Sequence, residues 1–161
     1  MRSSIRAVAL VALLSPPALS AERIAVFEAE LHDTSGEGLI EAQQQRLRLV
    51  TEELRRALAA SGRYEVVDTA PVAARVAAGP TLRSCTNCAP DAAAALDADL
   101  ALVTVVNKVS NLILSITLVE MEAGGARRAV HSAEIRGNND ESWLRGVRWL
   151  LRNRLLAAPR P

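Results

Sequence analysis

Aromatic side chains are nearly missing from this sequence: Phe27, Tyr64, Trp143 and Trp149 make up the whole set, 2% of the chain. That excludes an aromatic platform for stacking bases or sugars, and it leaves the core to aliphatic residues. An excess of charge of either sign is missing as well. With 19 basic and 18 acidic residues, no field exists to gather nucleic acid or an anionic membrane. Long apolar runs are absent too. Residues 99–122 are rich in apolar side chains, but Asn107, Lys108 and Asn111 interrupt them midway, which excludes a transmembrane helix there. Catalytic signatures are likewise wanting. Gly36-Glu37-Gly38 lacks the third glycine and the Gly-Lys-Ser/Thr ending of a phosphate loop, and Glu37 would repel a phosphate. His32, Asp33 and Ser35 are catalytic residue types, but no Gly-x-Ser-x-Gly elbow accompanies them. They read as a solvated loop.

What is present begins with an export signal. Arg2 and Arg6 form a basic start, and Ala7 to Leu14 form a short apolar stretch. Pro16 and Pro17 break it, and Ala18-Leu19-Ser20 supplies the small residues a signal peptidase reads. Eight apolar residues fall far short of the ~20 that span a bilayer. No cysteine follows the apolar stretch, so lipid anchoring is not indicated. The sequence therefore predicts a signal peptide over residues 1–20, cleavage before Ala21 or Glu22, and one soluble periplasmic domain over residues 21–161. Removing Arg2 and Arg6 from the 19 basic residues leaves 17 against 18 acidic ones, a net charge of −1. A domain of this length buries about two-thirds of its unfolded surface, enough for a real core.

The patterning predicts a strand over 24–31, a polar loop over 32–38, and a long helix over 39–60. In that helix Leu47, Val50, Leu54 and Leu58 fall at helical spacing, with Gln44, Arg48, Glu52 and Arg55 on the other side. Ser61-Gly62 stops it, with Gly62 suited to a left-handed cap. A short strand over 64–67 precedes a short helix that Thr69-Ala70-Pro71 starts and Gly79-Pro80 closes. Residues 85–90 read as a loop and 91–96 as one or two helical turns. Leu100 to Val106, apolar on both faces, reads as a central strand. A turn at 107–111 leads to a strand over 112–121, Gly124-Gly125 turns the chain again, and a more polar strand follows over 127–135. A helix over 141–156 closes the chain. Asn138 and Glu141 have capping-box spacing, with Asp140 competing for the cap. The order β-α-β-α-(α)-β-β-β-α predicts an α+β fold: a mixed β-sheet, strand-helix-strand at first and then an antiparallel meander, with helices packed on it.

Cys85-Thr86-Asn87-Cys88 is the sharpest local feature. In an oxidising compartment two cysteines so close most simply form a disulfide. A redox dithiol is the second reading: Cys88 stands just before Pro90, a good first helical residue, so a helix dipole could lower its thiol pKa. A metal site completed by His32 or His131 is the third, and it would need ligands from remote segments. In the closing helix Trp143, Leu144, Val147, Leu150, Leu151 and Leu155 share a broad apolar side. Trp149 lies on the other side, with Arg145, Arg148 and Arg152 around it. A tryptophan ringed by arginine reads as an anchor for a protein partner. The plainer account is arginine stems packed over a half-buried indole.

Several stretches carry a resemblance to a known family. They are Ile24-Ala25-Val26-Phe27-Glu28, residues 60–68 (ASGRYEVVD), the Cys85 and Cys88 pair before an Ala-Asp-Leu strand, residues 108–114 (KVSNLIL), residues 136–143 (RGNNDESW), and residues 152–156 (RNRLL). Together they resemble a family of small exported proteobacterial proteins known as a domain of unknown function, number 3280, with a similar family numbered 2380. The resemblance implies a periplasmic location and no particular activity. The order of elements is also similar, at the level of fold, to the amino-terminal domain of the translocation protein TolB and to curli-secretion-type envelope proteins. That likeness implies a scaffold for protein contacts, though fold does not fix function. Together these readings predict a non-enzymatic periplasmic adaptor or accessory protein making protein–protein contacts in the cell envelope. Its partner is a protein of unknown identity. No cofactor, metal or nucleic acid is expected, nor membrane insertion after signal cleavage. The alternative is a thiol–disulfide redox or metal-handling protein using Cys85 and Cys88.

Overall fold

The computed structural model describes residues 21–157, so the predicted leader lies outside the described residues. In chain order the strands are β1 (Glu22–Val26), β2 (Glu30–Asp33), β3 (Tyr64–Val67), β4 (Leu100–Lys108), β5 (Leu114–Glu122) and β6 (Arg127–Ile135). The helices are α1 (Glu41–Ala60), α2 (Ala70–Ala78), α3 (Cys88–Ala94) and α4 (Asp140–Leu150). A 3₁₀ turn (Leu82–Ser84) precedes α3, and a π turn (Leu151–Leu155) continues α4.

The strands form one open mixed sheet in the order β3-β1-β4-β5-β6, with β2 also paired to β4. β1 pairs in parallel with β3 and β4, whereas β4, β5 and β6 run as an antiparallel meander. The α+β class expected from the sequence is the one observed. β4 is buried along nearly its whole length, as a strand covered on both faces must be. On one face α1 and α4 pack Val50, Leu54, Leu58, Trp143, Val147 and Leu150 onto Ile24, Leu102, Ile116 and Leu118. On the other, Val72 of α2, Leu82, and Ala89, Ala92 and Ala93 of α3 cover Ala25, Ala101, Val103 and Val105. Alanines here let α3 lie close to the sheet. The same face of β5 and β6 carries Thr117 and Ser132, whose exposed hydroxyls bond each other at 3.1 Å.

Several boundaries differ from the sequence expectation. The single strand expected over 24–31 is two: the Phe27 N–H still donates to Leu102 O at 3.2 Å, and Glu28 and Ala29 then leave the ladder. There the backbone N–H of Ala29 donates to the buried Thr51 hydroxyl of α1 at 2.9 Å. β1 then pairs with Leu100–Leu102 and β2 with Val105–Lys108, both along the same side of β4. The loop expected from His32 starts only after Asp33, and that expected over 85–90 ends where α3 begins at Cys88. β4 runs through Lys108, into the expected turn. β5 starts at Leu114 rather than Leu112, because the Ser110 hydroxyl accepts from the N–H groups of Leu112 and Ile113 and holds them in the turn. The long helix stops as expected, with Gly62 at φ +67° in the left-handed region that glycine enters freely.

Candidate partner surface

Helix α4 is capped by Asn139, not by Asn138 or Asp140: the Asn139 side chain accepts from the Ser142 N–H at 2.9 Å. Asp140 and Glu141 in the first turn suit the positive end of the helix dipole. The apolar stripe then turns inward, and Trp143 is wholly buried. One turn later comes Gly146. A Cβ at this position would collide with Ile135 Cγ2 of β6, so the missing side chain is what lets helix and strand approach this closely.

Beyond that contact the surfaces part and leave a groove of about 530 Å³. Its strand wall is Ser132–Arg136, and its helix wall includes Arg145, Gly146 and Trp149. β6 ends the sheet, so its outer backbone N–H and C=O groups have no ladder partner. Trp149 is 40% exposed, on the side of the helix away from Trp143, as the spacing predicts.

The arginines expected around Trp149 divide. Arg145 reaches back to Glu141 at 2.6 Å, an exposed pair four residues apart. Arg148 turns instead toward α1, where its Nε donates to Glu53 Oε1 at 2.9 Å, and Arg56 donates to the same oxygen at 2.7 Å. The hydrogen bond from Arg148 holds the Glu53 carboxyl below its ordinary range against the opposing effect of burial, and it raises Arg148 in turn. Arg152 is exposed and makes no ion pair among the described residues. The residue that covers Trp149 is Arg154, its guanidinium 5.4 Å from the ring centroid. The spacing of an ordinary helix does not put Arg154 there; the π turn does. Leu156 N–H donates to Leu151 O, five residues back, and Arg154 stands five residues after Trp149.

A second polar cluster was not foreseen. Lys108, fully buried at the end of β4, donates to Glu37 Oε2 at 2.6 Å and to the Ser35 hydroxyl at 2.9 Å, with Asp33 at 3.5 Å. Gln43 of α1 completes it, its amide oxygen accepting from Lys108 at 3.2 Å and its nitrogen donating to the Gly38 carbonyl at 2.8 Å. Asp33 lies below the ordinary carboxylate range, chiefly through the Ser35 hydroxyl, and Glu37 chiefly through Lys108. Glu37 also accepts from Asn111, which accepts in turn from Asn138. The arrangement ties the 34–40 loop to the β4–β5 turn and to the turn between β6 and α4. It is a structural clamp: every donor and acceptor named here is turned on another.

A disulfide joins Cys85 and Cys88, so neither sulfur is a free thiolate. Among the described residues no three His, Cys, Asp or Glu side chains converge as a metal shell requires. His32 Nδ1 lies 3.1 Å from Asn107 Oδ1, and His131 Nε2 lies 3.2 Å from Glu120. The two histidines thus serve the ladder and do not complete a shell around the cysteines. No helix of the described residues is long and apolar enough to cross a membrane.

Solved structures share this architecture at low sequence identity. The LpoB C-terminal domain from Escherichia coli matches with a TM-score of 0.54 and 16% identity, covering 76% of this chain and 88% of that one. The corresponding Salmonella enterica domain gives 0.53 and 17%, over 77% and 89%. Lipoprotein GNA1162 from Neisseria meningitidis gives 0.53 and 14%, over 86% of this chain and 99% of that one. These likenesses show a common fold. The fold-level likeness expected from the sequence is carried by them and not specifically by the TolB domain. No curated protein matches the sequence. The family DUF3280, described as protein of unknown function (DUF2380), matches residues 22–155, nearly all of the described residues, and the protein belongs to that family.

Proposed function

We propose that this is an exported accessory protein of the cell envelope that acts by binding another protein, and that the surface around Trp149 is where it binds. One observation carries the reading. Trp149 stands half-exposed on the rim of a groove, under an arginine, while the other tryptophan of the same helix is buried. Tryptophan and arginine at the edge of a concave, partly apolar surface are the residue types that dominate protein interfaces. The leader read from residues 1–20 supports action in the periplasm. The shared fold with a lipoprotein of Neisseria meningitidis is consistent with an envelope role. A photo-crosslinking residue at Arg145 or Arg152 should capture one discrete envelope protein in living cells, and one at Arg75 on α2 should not. Trp149→Ala should abolish the capture. Equal capture from all three positions would defeat the reading.

A second reading rests on the disulfide. Cys88 is the first residue of α3, where the helix dipole would stabilise a thiolate after reduction. A reduction potential at or above about −270 mV would favour thiol exchange, and a much lower one a structural bond.

A further inference from the structure

Resting on the Trp149 surface as the binding face, we propose that its partner is an extended, acidic polypeptide segment that adds to β6 as a further strand and seats apolar side chains in the groove beside α4. Three features meet there. β6 is nine residues long, forms one free edge of the sheet, and carries no Asp, Glu, Lys or Arg from Ala129 to Ala133. Its charges stand at the ends, Arg127 and Arg128 at one and Glu134 at the other with Arg136 just beyond the strand, and between them lie Ala129, Val130, His131, Ser132 and Ala133. An edge of this kind offers backbone donors and acceptors to an incoming strand.

The groove is the second feature. An added strand points alternate side chains to opposite faces. One set would fall beside Gly146 and Trp149, on the helix wall of the groove. A helix laid in the same place would leave the outer groups of β6 unpaired, so the edge favours an extended occupant.

Charge is the third. Arg145 and Arg148 have carboxylate partners, but Arg136, Arg152 and Arg154 have none among the described residues. Glu134 is the one acid in the groove wall. The rim is therefore net basic on a molecule whose charges otherwise balance, and it complements aspartate or glutamate on the incoming segment.

A displayed library of random peptides as long as β6, selected on the mature full-length protein, tests this. Enriched sequences should alternate apolar residues with Asp or Glu. Binding should slow amide exchange in β6. N-methylation of the alternate peptide amides that face β6 should weaken binding about tenfold or more, and methylation of the intervening set should leave it unchanged. Arg136→Glu with Arg152→Glu, both exposed, should weaken it by a similar factor. The proposal is overturned by no enrichment, by basic sequences, by apolar residues at every third or fourth position, or by equal effects of the two methylated sets. It is also overturned if β6 pairs with a second copy of the chain, seen as a dimer in sedimentation. If Trp149→Ala abolishes binding while both methylated sets bind alike, the Trp149 surface survives and strand addition fails. If neither matters, both fail.

Discussion

The two tryptophans of α4 show how one side chain takes two roles from its angular position alone. Six residues along a helix is 600°, or 240° after a full turn, so Trp143 and Trp149 cannot share a face. Trp143 is fully buried among the α1 and sheet residues, with its indole N–H unpaired. Trp149 is held at the surface under Arg154. Trp143→Ala should therefore lower stability by about 3–5 kcal/mol through the cavity it leaves. Trp143→Phe should lose less, since it also removes an unsatisfied buried donor. Trp149→Ala should cost about 1 kcal/mol or less in stability and act on binding instead. Three thermal melts decide this. If Trp149→Ala melts as early as Trp143→Ala, the indole supports the core and is not a surface anchor.

At the scale of elements, the segments whose ends are set locally were legible. β6 was readable to the residue because Gly124-Gly125 and Gly137 punctuate it, and α1 because its apolar stripe and Gly62 are written in the sequence. The split between β1 and β2 was not, because it depends on Thr51, 22 residues away. The Lys108 clamp joins groups more than 70 residues apart; its only local trace is a lysine at the end of an apolar strand. The groove was half legible. Trp149 and Arg145 were readable, but the strand wall came from a different element, and the π turn brought Arg154 over the indole. The disulfide was legible from spacing, and its small ring bounds its effect. Closing so short a loop stabilises by about 2 kcal/mol or less on the chain-entropy model. It joins the 3₁₀ turn to α3 at one edge of the second core. Cys85→Ser with Cys88→Ser should thus melt only a few degrees below wild type and keep its far-ultraviolet dichroism. Loss of the folded state would show that the ring anchors α3 to the sheet.

Across the whole molecule, charge balance hides a set of carboxylates that respond to acid together. Asp33, Glu37 and Glu53 all lie below their ordinary range in the folded protein. The folded state therefore binds fewer protons than the unfolded one at acid pH. Their stabilisation is complete above the ordinary carboxylate values near 4 and is lost as pH falls through the lowered ones. Tyr64 runs the other way. Burial raises its phenol, so its stabilisation is present below the usual value near 10 and is lost as pH rises through the raised one. Urea midpoints should then stay flat near neutrality and fall below about pH 4.5. Lys108→Met separates the contributions. It removes the hydrogen bond that chiefly lowers Glu37, but leaves Ser35 on Asp33 and Arg148 on Glu53. The variant should be less stable at pH 7, because Asp33 and Glu37 lose a buried counter-ion. Its midpoint should fall less between about pH 5 and pH 3 than that of wild type, and it should still fall. An acid limb as steep as wild type would mean that Lys108 does not set the Glu37 proton affinity. A flat one would mean that Asp33 and Glu53 contribute nothing, and that the Glu37–Lys108 pair alone carries the acid response.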